Sequence, residues 1–242
     1  MPENKLIFLI DIMEKYVSPN RCCLLVVALL LFVGCDLGTY SKRYDERMDK
    51  SSSIRNTNKD LSQKIYKIGN AGSIRLPKIF TLESSEEYGP EDDFKRARVN
   101  GMDFPGFVKS YIGDKKSGEN WLPVQGYFFV IAGGDKSSTD IQGEISEIIK
   151  QRVAERAAWE NTPILGNDGE TRAWSKMTVT GTQPFFVFEP GSDNQKEKNL
   201  TGRMDLYLRS SDQSHFLVVM RSPAEVFDDA MVLGMVKSYM DP

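Results

Sequence analysis

The closing stretch of the chain, residues 202–240, reads GRMDLYLRSSDQSHFLVVMRSPAEVFDDAMVLGMVKSYM. It contains an alternating segment, Arg203–Arg209, and an apolar run, His215–Met220, and both patterns are typical of β-strands. The polar residues 211–213 between them predict a hairpin turn. We expect one face of the first strand to be exposed to solvent, because charged or polar residues alternate there with Met204, Leu206 and Leu208.

A helix is predicted to follow this hairpin and to close the chain. Ser222 is a suitable N-cap, Pro223 suits the first helical position, and Glu225 can reach back to the cap. The apolar face of this helix would consist of Val226, Phe227, Ala230, Met231, Leu233 and Tyr239. A hairpin with a helix packed on it is an α+β arrangement.

The preceding part of the chain shows more strands and one amphipathic helix. Apolar patterns and turn residues predict strands within residues 65–68, 74–82, 107–113, 124–132, 172–180 and 184–188. A helix is predicted to follow the turn at residues 133–138, with a capping box formed by Thr139 and Gln142 and an end near Trp159. The order of elements predicts an α+β domain in which helices pack on an antiparallel sheet.

The N-terminal part carries a different signal, the apolar run CCLLVVALLLFV at residues 22–33. A transmembrane helix needs about 20 apolar residues, whereas the apolar core of a secretory signal has about 7–15. The residues that follow, Leu31-Phe32-Val33-Gly34-Cys35, resemble the bacterial lipobox. The resemblance implies cleavage after Gly34 and acylation of Cys35; the alternative is a short buried helix that ends in Gly-Cys.

This resemblance defines a domain plan for the whole chain. Residues 1–34 are predicted to be a signal peptide, and initiation at Met13 would give it the positive charge that secretion requires. Residues 35–60 would be the lipidated cysteine and a flexible tether, because the segment is polar and has few apolar side chains. As a random coil, this tether spans roughly 25–30 Å. Residues 61–242 would be a single α+β domain.

The anchor predicts a location in the bacterial cell envelope, on the periplasmic face of the inner or the outer membrane. Two or more acyl chains on Cys35 hold a protein stably at a bilayer. The net charge of −3 with no basic cluster argues against a nucleic-acid partner. All three cysteines lie in the signal or at its end, so the folded part has no disulfide, thiol nucleophile or cysteine metal ligand.

Few residues of the folded part suggest catalysis. His215 is the only histidine, and we expect it to sit at a strand end and to face solvent or a loop. Gly133–Ser137 lies where a phosphate loop would, but Asp135 replaces the second glycine and would repel a phosphate. The alternatives there are a plain turn and a weak anion site at the helix N-terminus.

Two pairs of carboxylates and one group of aromatic residues complete the candidates. The adjacent pairs Asp92-Asp93 and Asp228-Asp229 point apart on a strand or helix, so neither forms an acid–base couple. The aromatic residues Phe185, Phe186 and Phe188 either line a groove or belong to the core. We therefore predict no catalytic residue, no cofactor and no metal site.

One family resemblance concerns the whole predicted domain, residues 61–242. The strand pair that ends in IRLPKIFTL (residues 74–82), the central helix and the closing run resemble the α/β/α sandwich of the PsbP-like fold. Lys237-Ser238-Tyr239 matches the serine–aromatic end of the family's last helix. Members are mostly non-enzymatic: extrinsic photosystem subunits, a Ran-binding relative and bacterial lipoproteins. The resemblance therefore implies a binding role and assigns no functional residue.

The sequence leaves three functions open. The first is a lipid-anchored, non-catalytic α+β domain that binds a protein partner or stabilises an envelope assembly. The second is a carrier or sensor of a small ligand, with a pocket between sheet and helix. The third, ranked last, is a hydrolase that uses carboxylates alone. An exposed apolar patch would favour the first, a formed apolar pocket the second, and two carboxylates about 5–9 Å apart in a cleft the third.

Overall fold

The computed structural model describes residues 42–49, 52, 58–84, 96–153, 157–188, 195–211 and 214–242. The chain divides into two compact units, residues 1–53 and 54–242. In the first unit, residues 42–49 are helical with exposed side chains, although they lie in the predicted flexible tether. The predicted signal peptide and Cys35 lie outside the described residues. None of the helices described in these ranges is long and apolar enough to cross a membrane.

The second unit is an α+β domain with a mostly antiparallel sheet, as the sequence predicts. Its strands are β1 (Leu61–Lys67), β2 (Ser73–Pro77), β3 (Leu82–Ser84), β4 (Arg96–Val99), β5 (Met102–Pro105), β6 (Phe107–Ser117), β7 (Asn120–Ala132), β8 (Glu160–Leu165), β9 (Thr171–Phe188), β10 (Gln195–Ser210) and β11 (Ser214–Pro223). Its helices are α1 (Ser138–Lys150), a 3₁₀ turn (Ala224–Val226) and α2 (Asp229–Lys237). Seven strands form one sheet in the order β3-β6-β7-β11-β10-β9-β8, and β1–β2 and β4–β5 are separate hairpins.

Two core clusters cover the two faces of the sheet. Neighbouring residues of a strand point to opposite faces, and accordingly Val219 belongs to the cluster that contains α1 and β4–β5. Val218 belongs to the cluster that contains α2 and β1–β2. The apolar stripe of α1, which consists of Ile141, Ile145 and Ile149, is fully buried against the first face.

The predicted β10–β11 hairpin is confirmed, but the expectation that the segment Arg203–Arg209 has one exposed face is wrong. Asp205 and Tyr207 point to the face that α2 covers, and they are 0% and 4% exposed. Asp205 can be buried because both of its carboxylate oxygens accept hydrogen bonds from Arg203 at 2.9 Å, and Lys176 lies 3.1 Å away. Asp205, Arg203 and Lys176 of β9 therefore form a largely buried ion cluster at the place where the sequence predicts a solvated face.

Both helices begin and end at residues other than those that the sequence patterns predict. The capping box of α1 is formed by Ser137 and Asp140, not by Thr139 and Gln142, and the helix ends at Lys150. Trp159 lies beyond it, and its indole N–H donates back to the carbonyl of Gln142 at 3.1 Å.

The start of α2 also differs from the prediction. Ser222 and Pro223 do not begin a helix, because they still pair with Arg203 and Gly202 as the end of β11. Asp228 caps α2 instead, and its carboxylate accepts a hydrogen bond from the Met231 N–H at 3.0 Å.

The sequence patterns missed one hairpin and one edge strand. The β4–β5 turn consists of Asn100 and Gly101, which have φ angles of 53° and 77°. Asn-Gly is the preferred pair for a two-residue hairpin turn of this kind, so the signal was present in the sequence. The edge strand β8 was not predicted, and β9 continues as a single strand of 18 residues through the predicted break at residues 181–183.

Candidate interaction surface

The β9–β10 hairpin extends past the end of β11 and twists towards β7. The last pair between β10 and β11 is Gly202 with Pro223, whereas the β9–β10 ladder continues to Phe188 and Gln195. Phe188 also pairs with Trp121 of β7, through the edge of β9 that is not bound to β10. In the sheet, β11 and β10 lie between β7 and β9. β9 can therefore pair with β7 only beyond the end of β11, where the β9–β10 ribbon turns over and lies beside β7.

The core clusters show that this twist is about half a turn. Met177 and Val179 of β9 pack in the cluster with α1. Phe185 and Val187 have the same alternation along β9, yet they pack in the opposite cluster, with α2. Two-stranded ribbons twist more strongly than wide sheets, so the β9–β10 ribbon can make this turn once β11 has ended.

Gly202 allows the ribbon to twist tightly. A Cβ atom at this position would lie 2.8 Å from the side chain of Gln183 and 2.9 Å from the ring of Phe185. Such contacts are shorter than van der Waals distance, so only glycine lets these two side chains fold across β10 at this point.

Arg221 fills the space that β11 leaves between β7 and β9. Its guanidinium donates to the side-chain oxygens of Gln183 at 2.9 Å and Gln125 at 2.8 Å, and also to the carbonyl of Pro184. It also lies 4.2 Å from the ring centroid of Phe185. The side chain is 6% exposed, and burial lowers the pKa of Arg221 below its usual value. Arg221 therefore fastens the twisted ribbon to β7.

The twist brings three aromatic residues together at this end of the sheet: Trp121, Phe186 and Phe188, here called the aromatic surface. Trp121 and Phe188 are directly paired, and Phe186 lies two residues earlier on the same side of β9. Trp121 is 47% exposed and Phe186 is 57% exposed, whereas Phe185, on the other side of the strand, is 1% exposed. From the sequence alone, these phenylalanines could line a groove or belong to the core. In β9, Phe185 belongs to the core, whereas Phe186 is exposed on the opposite side of the strand.

The rim of the aromatic surface is polar and almost neutral. Lys116 lies opposite Trp121 on β6, and Glu197 lies opposite Phe186 on β10. The exposed amides Gln195 and Asn199 are their uncharged neighbours on β10. An aromatic centre with a polar rim is the composition of protein–protein interfaces, in which tryptophan often contributes most of the binding energy.

The chain enters the domain at the opposite end from this surface. The side chain of Asn58 accepts a hydrogen bond at 3.0 Å from Asn167, which lies in the turn before β9 begins. The aromatic surface is at the other end of β9, whose 18 residues extend over up to about 60 Å at about 3.3 Å per residue. Asn58, the first described residue of the second unit, therefore lies at the other end of β9 from the aromatic surface.

His215 is buried and has structural partners at both ring nitrogens. It is 2% exposed, so the part of the prediction that let it face solvent is wrong, whereas it does face the loop before α1. Nε2 lies 3.2 Å from the carbonyl of Lys136, and Nδ1 lies 2.8 Å from the hydroxyl of Ser210. A carbonyl only accepts, so Nε2 carries the hydrogen and Nδ1 accepts from Ser210.

The Gly133–Ser137 turn already holds a carboxylate at the helix N-terminus. The N–H and hydroxyl of Ser137 both donate to Asp140, at 2.8 and 2.7 Å, and these bonds lower the pKa of Asp140. Lys136 pairs with Glu144 at 2.5 Å. The groups that would bind an external anion are therefore engaged within α1.

Several acidic residues in the described part of the domain form structural ion pairs. Asp228 binds Lys115 at 3.0 Å, whereas Asp229 binds Arg203, so these neighbours point apart as the sequence predicts. Arg172 donates two hydrogen bonds to Asp168 and lowers the pKa of Asp168 to about 2. The pair Asp92-Asp93 lies outside the described residues. In the part of the chain that the structure describes, no three metal-binding side chains come together.

A small pocket lies between the β1–β2 hairpin and β6. Its cavity volume is about 10 Å³, about the space that one water molecule needs, and it is lined by Tyr66, Lys67, Ile68, Tyr111 and Phe128 among others. Pockets for small ligands have about 300–1,000 Å³, so this pocket is below the usual size.

No protein-family model matches the chain, and no curated protein sequence matches it.

Proposed function

We propose that this chain is a lipid-anchored protein of the bacterial cell envelope whose domain docks a protein partner, without catalysis, through the aromatic surface. The observation that carries this proposal is the exposure of Trp121 and Phe186 at the end of the sheet where β9 pairs with β7. Exposed apolar side chains that share one surface with a polar rim are typical of protein interaction sites. The near-neutral polar rim fits a protein surface better than a nucleic acid.

The anchor in this proposal is Cys35, at the end of the apolar run 22–33. Asn58 lies at the far end of β9 from the aromatic surface. A flexible tether before it leaves the aromatic surface accessible to a protein partner in the envelope, and the membrane is the inner or the outer one.

The proposal includes an α/β/α sandwich of the PsbP-like kind for the domain. Its support is the division of the core into two clusters, with α1 in one and α2 in the other. The mostly non-enzymatic character of that family agrees with a binding role. The small-ligand alternative depends on the pocket beside Tyr66 and Tyr111, whose small volume disfavours it.

Replacement of the anchor cysteine tests the proposed lipid anchor and the membrane location. We expect the wild-type chain to be processed to a mature form that begins at an acylated Cys35 and to sediment with membranes. The Cys35→Ala variant should stay unprocessed and lose the acyl chains. Cys23→Ala is the matched control, because it removes a cysteine from the apolar run and should leave processing intact. Identical fractionation of the wild-type chain and the Cys35→Ala variant, with intact masses that differ only by the substituted side chain, would refute the anchor.

A further inference from the structure

The helix at residues 42–49, here called the tether helix, divides its charges between two faces. Residues three and four apart share one face of a helix. The cationic face accordingly consists of both arginines and both large apolar residues: Arg43, Tyr44, Arg47 and Met48. The acidic face consists of the other four residues: Lys42, Asp45, Glu46 and Asp49. The first face therefore has two positive charges, whereas the carboxylates of the second face outnumber its one lysine.

None of the residues that the structure describes covers the cationic face. All eight side chains of the tether helix are exposed, with Tyr44 at 54% and Met48 at 53%. Isolated helices shorter than about 12–15 residues are only marginally stable in water. Arg43 and Arg47 are like charges four residues apart, and such pairs destabilise a helix further. The tether helix therefore needs another surface that stabilises it.

The proposed lipid anchor places a bilayer within reach of this helix. The tether helix begins seven residues after Cys35. Seven residues of fully extended chain span at most about 25 Å. Acyl chains on Cys35 would therefore keep the helix close to the bilayer, at a high effective concentration. Arginines beside apolar side chains are also the composition with which interfacial helices bind anionic lipids.

We infer that the tether helix lies on an anionic bilayer surface, with Tyr44 and Met48 inserted between the lipids and Arg43 and Arg47 bound to lipid phosphates. This inference rests on the proposed anchor at Cys35 and adds a second membrane contact to it. Guanidinium groups suit phosphate oxygens, which they bind through two N–H groups at once. The acidic face then points to water, away from the negative charge of the lipids.

The size of the cationic face favours lipid over a second protein. Eight residues are about two helical turns, which is small beside the roughly 800 Å² that each partner contributes to a stable protein interface. The same face is sufficient for a segment that acyl chains already hold at the membrane, because the loss of translational freedom has then been met by the anchor.

The test uses the mature, full-length, acylated chain in vesicles and measures the environment of single side chains. Cys22 and Cys23 leave with the predicted signal peptide and Cys35 carries the acyl chains, so an introduced cysteine is the single free thiol. Met48→Cys places an environment-sensitive fluorophore on the cationic face, and Glu46→Cys places the same fluorophore on the acidic face. Vesicles of phosphatidylglycerol, which is anionic, are compared with vesicles of phosphatidylcholine.

We expect the fluorophore at position 48 to insert into phosphatidylglycerol vesicles. Its emission should shift to the blue and be quenched by brominated lipid, whereas the fluorophore at position 46 should remain in water. Arg47→Glu should lower the ratio of inserted to free fluorophore about tenfold, and Tyr44→Ser should lower it too. Lys42→Glu is the matched control, because it changes the charge by the same amount on the acidic face and should leave the ratio nearly unchanged.

Three results would overturn the inference. An equal response at positions 48 and 46 would show that the helix has no fixed orientation at the bilayer. Equal losses with Arg47→Glu and Lys42→Glu would show that the charge of the cationic face has no particular role. Equal insertion into vesicles of phosphatidylglycerol and phosphatidylcholine would show that the helix does not recognise anionic lipid.

The failure of this inference can be told apart from the failure of the proposed function. Intact mass and flotation of the same samples report the anchor independently of the fluorophore. If the chain is acylated and floats with the vesicles while position 48 remains in water, the anchor stands and the interfacial helix is wrong. If Cys35 carries no acyl chain, the proposed anchor is wrong and the inference fails with it.

Discussion

The buried carboxylate of Asp205 gives the most quantitative prediction. This side chain is 0% exposed and balances two cations, Arg203 at 2.9 Å and Lys176 at 3.1 Å. Asp205→Asn keeps the volume but removes the charge, so the two cations remain with an amide between them. Removal of one partner from a buried ion pair costs about 3–5 kcal/mol.

The structure places the expected loss at the lower end of that range. Arg203 and Lys176 each keep 23% of their side-chain surface exposed, so both gain some hydration, and Arg203 also keeps its contact with Asp229. We therefore expect Asp205→Asn to reduce the free energy of unfolding by about 3 kcal/mol. For a domain of this size, about 2–4 °C per kcal/mol corresponds to a fall in Tm of about 6–12 °C.

The matched control is Asp229→Asn, which removes the exposed partner of Arg203. The Asp229 side chain is 66% exposed, and an exposed pair contributes about 0–1 kcal/mol. Chemical denaturation of both variants, followed by circular dichroism, measures the difference. If the two substitutions cost the same, or if Asp205→Asn costs under about 1 kcal/mol, the ion cluster does not hold the β9–β10 strands and α2 together as described.

Two further predictions concern a turn and a tyrosine. Gly106 and Gly118 have φ angles of 75° and 57°, but only at Gly106 would a Cβ meet backbone, 2.3 Å from the Val130 carbonyl oxygen. Gly118→Ala should therefore cost about 1 kcal/mol and Gly106→Ala about 3 kcal/mol; equal losses in denaturant unfolding would contradict this close approach. Burial raises the pKa of Tyr239 to about 12, above the value of about 10 in an unfolded chain. Stability should thus be complete below about pH 10 and decrease towards pH 12, and Tyr239→Phe should make this decrease smaller in unfolding curves recorded across that range.

Local sequence patterns predicted the elements in which one physical signal dominates. The apolar run His215–Met220 follows a polar turn and contains β-branched and aromatic residues, which favours a buried strand, and α1 has isoleucines at helical spacing. The Asn100-Gly101 turn was equally readable, because few other pairs adopt positive φ at both positions. The helix ends were less predictable, since Ser222-Pro223 is a good helix start that pairing with β10 overrides.

The candidate site depended on contacts that no local pattern contains. Alternation predicts that Phe185 and Phe186 lie on opposite sides of a strand, but not which side is covered. That depends on the half turn of the ribbon, which follows from the end of β11, the small residue Gly202 and the clamp of Arg221. Asp205 illustrates the same limit, because its polar character suggests a solvated face until α2 is placed over it.

Site-specific photo-crosslinking in intact cells tests docking through the aromatic surface most directly. A photoreactive phenylalanine analogue replaces Phe186, which is 57% exposed, and in a parallel strain Leu165, which is 48% exposed on the outermost strand β8. We predict one discrete protein adduct at position 186 that disappears with Trp121→Ser, and no such adduct at position 165. The same adducts at both positions, or none at position 186, would contradict the account.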